Sequence, residues 1–111
     1  VPDLAVHAGP LERGPWSDLL CFAGRGPGEV LMAGRKVVGI SQRRTRAAAR
    51  FQCAVLHRWD PAPMAALLAV APAERLAMVA DLAEVAAGIG PVDPAAVVAN
   101  LLAALRSADP A

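Results

Sequence analysis

An α+β fold is predicted by three features of this sequence. Between residues 19 and 57, four short apolar runs are separated by turn-forming residues. Between residues 60 and 94, three helix starts are each marked by a proline, at Pro61, Pro72 and Pro94. The two patterns do not interleave, which favours a sheet followed by packed helices over alternating βαβ units.

Residues 1–18 read as a loop or linker entering the domain, because Pro2, Gly9, Pro10, Gly14 and Pro15 interrupt every short run. Leu19–Ala23 is the first predicted strand. The loop GRGPG (24–28) follows it. Its glycine spacing does not match a GxGxxG fingerprint, and a strand rather than a helix comes next, so a dinucleotide site is rejected. Glu29–Met32 is the second strand, Ala33-Gly34 a two-residue hairpin turn, Arg35–Gln42 the third strand and Phe51–His57 the fourth. Short connections favour an antiparallel or mixed sheet.

The second half is punctuated as helices. Asp60-Pro61 and Asp93-Pro94 pair an N-cap with a proline at the first helical position. Expected packing stripes are Met64, Leu67, Leu68 and Ala71 in the first helix; Leu76, Val79, Ala83 and Ala86 in the second, which ends near Gly88; and Val97, Val98, Leu101, Leu102 and Leu105 in the third. Three helices are expected to back the sheet.

Composition bounds the function. The chain has 111 residues, 56% of them hydrophobic, enough for one domain with a modest core. No apolar run approaches the roughly 20 residues of a membrane span. No secretory leader is visible, so the expectation is a cytoplasmic protein. Cys21 and Cys53 match no metal pattern with His7 and His57, and both are expected to be reduced thiols. The start at Val1 suggests the C-terminal part of a longer domain.

Charge is uneven. Ten of the eleven basic residues are arginine, and Lys36 is the one lysine. From Val30 to Trp59 there are seven basic residues and no acidic one, although the formal net charge is only +1. Such a local positive field suits a phosphate, a nucleotide or an acidic protein surface, or is simply a solvated basic edge. Nucleic acid is disfavoured, because QRRTRAAAR (42–50) has no interleaved aromatic residues and no helix-turn-helix or zinc pattern frames it. Strand alternation places Lys36, Val38 and Ile40 on one face and Val37, Gly39 and Ser41 on the other. Lys36 then stands at the rim of a buried face, where a partly desolvated ammonium favours an anion; a surface lysine at a hairpin end is the plain alternative. Gly39 in mid-strand signals a bulge or a close approach to the backbone.

GRKVVGISQRRTR (34–46), within residues 19–56, resembles the lysine motif of the lipoate–protein ligase A family, part of the biotin/lipoate protein ligase superfamily with its class II synthetase-like fold. The resemblance implies that residues 19–111 are the C-terminal part of such a catalytic domain, with strands over 19–57 and helices over 60–108. It implies ATP-dependent activation of lipoate, with Mg2+, to lipoyl-AMP. Transfer to a lysine of a lipoyl carrier domain follows, either in 2-oxoacid dehydrogenase complexes or in the glycine cleavage H protein. Lys36 would be the catalytic cation beside the acyl-adenylate; Gly39 and Ser41 would contact the ligand; Asp18 would stand near the nucleotide. The family's Arg-rich segment running into three glycines and a histidine has no counterpart here. That leaves a missing N-terminal segment, a companion chain or a non-catalytic truncated binding module as readings. Where the family often has a histidine, this chain reads Phe51-Gln52-Cys53. An octanoyl or lipoyl transferase with Cys53 as acyl carrier is the enzymatic alternative, set against a buried, inert thiol.

Overall fold

The computed structural model describes residues 3–108. Its sheet is an antiparallel meander of four strands, β1 (Leu4–Val6), β2 (Val30–Met32), β3 (Arg35–Arg44) and β4 (Ala49–Val55), in spatial order β1-β2-β3-β4. Three helices follow: α1 (Pro61–Ala66), α2 (Pro72–Val85) and α3 (Pro94–Ser107). The antiparallel α+β class is as the sequence indicates.

Two strand expectations are corrected. Residues 19–23 are not a strand: Cys21–Ala23 is a single 3-10 turn, entered through Leu19 and Leu20, whose N–H groups both donate to the Trp16 carbonyl. The place beside β2 is instead filled by Leu4–Val6, inside the segment read as linker. Backbone bonds from His7 to Glu29, Gly28 to His7 and Ala33 to Asp3 hold it there. A three-residue strand between prolines carries too little pattern to see, whereas LLCFA carries pattern without a partner.

The β2–β3 hairpin closes on Ala33 and Gly34, both at positive φ (50° and 79°), which a two-residue turn matched to strand twist requires. Directly after it the ladder shifts. Leu31 pairs with Lys36 but Val30 pairs with Val38, so Val37 is an extra residue on β3. This bulge breaks the alternation. Lys36 and Gly39, expected on opposite faces, both face Phe22.

Each proline-marked helix start is present. Asp60 and Asp93 accept N-cap bonds from Ala62 and Ala95. The packing faces match the expected stripes only in part: Leu68 and Val79 pack on the core and Ala86 is buried, as expected, but other members are not. The core gathers Ala23, Ala65, Met78 and Leu82, with Trp16, Trp59, Leu68 and Val79 around it. In α2 the buried residues are Met78 and Leu82, while Leu76 is 77% exposed. In α1, Ala65 is buried, and Leu67, just past the end of the helix, is exposed. Arg75 explains the difference. It lies on the inward side of α2 and donates to the carbonyls of Ala65, Leu68 and Val70, closing the open C-terminal end of α1. A charged residue on the packed face disguised that face in the sequence. Helix α2 also stops earlier than expected, at Val85. The extended Ala86 then bridges to Lys36, and Gly88 passes so near the His57–Arg58 backbone that a Cβ would lie 2.5 Å from the His57 carbonyl oxygen.

Helix α3 does not back the sheet. None of its residues is buried and it makes no close backbone contact with another strand or helix. It stands beside β4 on the side opposite the core, where Val97, Val98 and Leu101 border an apolar groove with Cys53 and Val55.

Candidate functional site

Lys36 is at the base of β3, where the bulge and the Ala86 bridge enclose it, and it is only 3% exposed. A buried ammonium needs partners for all three protons. It finds them in the Cys21 carbonyl (3.1 Å), the Gly24 carbonyl (3.0 Å) and Oε1 of Glu29 (3.0 Å). The Phe22 ring lies beneath it, 4.6 Å from Nζ to the centroid, and stacks in turn on Trp59. The 3-10 turn misread as a strand is what aims the two carbonyls at the amine.

Glu29 is the residue that the sequence reading missed. It is 5% exposed, and its carboxylate accepts from the backbone N–H groups of Gly26 (2.6 Å) and Ile40 (2.6 Å) as well as from Lys36. Burial pushes its carboxyl up, but the Ile40 and Gly26 N–H groups and the Lys36 ammonium outweigh that and hold it below its ordinary value of 4.5. A signal was available. Glu29 immediately precedes the acid-free interval, and a two-residue hairpin at 33–34 folds it back toward Lys36.

A cavity of about 260 Å3 opens beside this pair, lined by Cys21, Phe22, Glu29, Lys36, Gly39, Ile40, Ser41, Gln52, Cys53 and Ala54. Three of the five candidate residues therefore come together, Lys36, Gly39 and Ser41; Cys53 borders the cavity from β4, but it pairs with Ile40 rather than Gly39, so its thiol belongs to the other face of the sheet, toward α3. Asp18 does not join them. It is exposed, away from the cavity, and its carboxylate is taken by Arg13. Gly39 is required by packing: a Cβ there would meet the Phe22 ring at 2.9 Å. The close approach that its position signalled is made by a side chain of the same chain. Ser41 is exposed at the rim. Cys53 is exposed in β4 and is not the buried thiol that its apolar run suggested. A larger trough of about 690 Å3 runs along Val55–Arg58, Gly90 and Pro91, but it lacks a charged pair at its base.

The cavity is slightly below the roughly 300–1,000 Å3 of most small-molecule sites. It has room for one end of an acyl-adenylate and not for the whole molecule. Among the described residues no group of three or more His, Cys, Asp or Glu side chains could hold a metal ion, and with Asp18 paired elsewhere no magnesium-binding donor set stands beside Lys36. In comparisons with known proteins, the chain matches no family model, no curated protein and no solved structure.

Proposed function

We propose that this chain contributes the lysine-bearing wall of a lipoate–protein ligase-like site, in which an activated acyl group is held for transfer to a carrier lysine. One observation supports the reading above others: Lys36, Gly39 and Ser41, taken from one linear motif, border a single cavity with a cation in its wall. The cation is already engaged. A ligand oxygen gains the Lys36 ammonium only by replacing the Cys21 or Gly24 carbonyl, so the 3-10 turn at Cys21–Ala23 must yield slightly on binding. Once exchanged, a charge-assisted bond to a carbonyl or phosphate oxygen stabilises negative charge developing there.

Because Lys36 is the one lysine, selective 15N labelling of lysine Nζ gives a single ammonium signal. Titration of the intact chain with a non-hydrolysable lipoyl-adenylate analogue should move that signal. The Ser41→Trp variant, which fills the cavity mouth from an exposed position, should weaken binding by at least roughly tenfold, the loss of about one charge-assisted bond. An unmoved signal in the folded chain rejects the reading.

The exposure of Cys53 keeps a second reading in play, an acyl transferase. Its thiolate would attack an octanoyl thioester carbonyl and expel the donor thiol, leaving an octanoyl thioester on Cys53. Intact-mass measurement after incubation with octanoyl-coenzyme A should then show one added acyl group, absent in Cys53→Ser. An unmodified Cys53 eliminates it.

A further inference from the structure

Helix α3 stands beside β4 without closing on it. Cys53 and Val55 in β4, and His57 just past its end, alternate along the chain and share a face. Across from them are Pro94, Val97, Val98 and Leu101, at the i, i+3, i+4, i+7 spacing of one helix face. A groove of about 300 Å3 remains between the two elements. The four residues from Cys53 to His57 give it a length of about 13 Å, the reach of an extended chain of roughly ten carbons. The residues around it are apolar except Cys53 at one end and His57 at the other. At His57 the groove meets the trough of about 690 Å3, since Val55 and His57 border both. The trough is polar in a way the groove is not. Arg58 borders it, exposed and without a carboxylate partner among the described residues. The nearest carboxylates in sequence, Asp60 and Asp93, are turned to the N-caps of α1 and α3.

We infer that groove and trough together bind a single-chain amphiphile with a phosphate head, its hydrocarbon chain between β4 and α3 and its phosphate at Arg58. The junction at His57 commits it. A wholly apolar ligand would use the groove alone, and a wholly polar one the trough alone; a molecule with both parts fills both. The chain would take Val98 (55% exposed) and Leu101 (49%) out of water. It would also give α3 the packing partner it lacks, since none of that helix's residues is buried. At the other end, a guanidinium offers a phosphate two parallel N–H donors, and the trough is larger than a carboxylate needs. A peptide fits the groove less well, because its backbone N–H and C=O groups would find no partners among these side chains. The site is separate from the Lys36 cavity, which lies on the Gly39 face of the sheet, whereas the groove lies on the Cys53 face.

The two cysteines make the test internal. Both are exposed, but Cys53 borders the groove and Cys21 does not. Decyl phosphate, kept below its micelle concentration, should slow iodoacetamide alkylation of Cys53 in the full reduced chain by at least roughly tenfold at saturation and leave Cys21 unchanged. Inorganic phosphate should protect neither thiol. Arg58→Ala should weaken decyl phosphate by about tenfold, the loss of one charge-assisted contact, and leave decanol unaffected. Leu101→Asp, at an exposed position, should abolish the protection in a folded chain. Equal slowing of both thiols would report detergent-like coating and overturn the inference. So would a Cys53 that is unreactive before any ligand is added, which would mean that α3 closes on β4 by itself. Decanoate or decyltrimethylammonium binding as tightly as decyl phosphate would reject the phosphate head.

Discussion

Replacing Glu29 with alanine is expected to cost about 3–5 kcal/mol, because it strands the Lys36 ammonium in a site only 3% exposed. Lys36→Ala should cost a similar amount by stranding Glu29. Against the 5–15 kcal/mol of a typical domain, and with so few fully buried side chains here, either change should leave a large unfolded fraction in urea titrations. The double variant Glu29→Gln with Lys36→Met removes both charges and should be less damaging than the sum of Glu29→Gln and Lys36→Met made singly. Its residual cost of about 1–3 kcal/mol comes from the Gly24 carbonyl left without a donor and the Cys21 carbonyl left with only the Gly24 N–H. Additivity of the two single losses would mean that the pair is not coupled and would remove the electrostatic account of the site.

The same pair sets an acid limit. The Glu29 carboxyl titrates lower in the folded chain than in the unfolded one, so the unfolded state binds its proton first as pH falls. Its stabilising contribution is complete above the ordinary value of 4.5 and is lost as pH drops through the lower folded value. Denaturant midpoints should be flat with respect to this group above that range and decline below it, and Glu29→Gln should flatten the decline. A midpoint that rises on acidification would contradict the assignment.

The second large effect separates the packing face of α2 from the stripe that the sequence suggested. Leu82 is fully buried and Leu76 is 77% exposed. Leu82→Ala should cost about 2–5 kcal/mol through lost burial and the cavity left behind, while Leu76→Ala should be within about 0.5 kcal/mol of the parent. Trp59 makes the contrast sharper, since its indole N–H donates to the Leu82 carbonyl at 2.9 Å and its ring stacks on Phe22, which lies under Lys36. Loss of Leu82 should therefore disturb the cavity as well as the core, with a change in Trp fluorescence. Equal effects from the two leucines would mean that α2 is rotated from the position described.

What the sequence alone determined was local. Proline placed all three helix starts and aspartate capped two of them, because a fixed φ and a short carboxylate act within a few residues. Ala33-Gly34 placed the central hairpin, and the acid-free interval drew attention to Lys36. Tertiary structure decided whatever depended on distant partners. Leu4–Val6 became a strand because β2 offered it an edge, and LLCFA became a turn because that edge was taken. Arg75 rotated the buried face of α2 by closing α1. The Val37 bulge turned Lys36 and Gly39 to a shared side. Lys36 itself was legible as a special position but not as a buried one: its burial depends on Glu29, Phe22 and two carbonyls converging from separate segments, and no single stretch of chain carries that information.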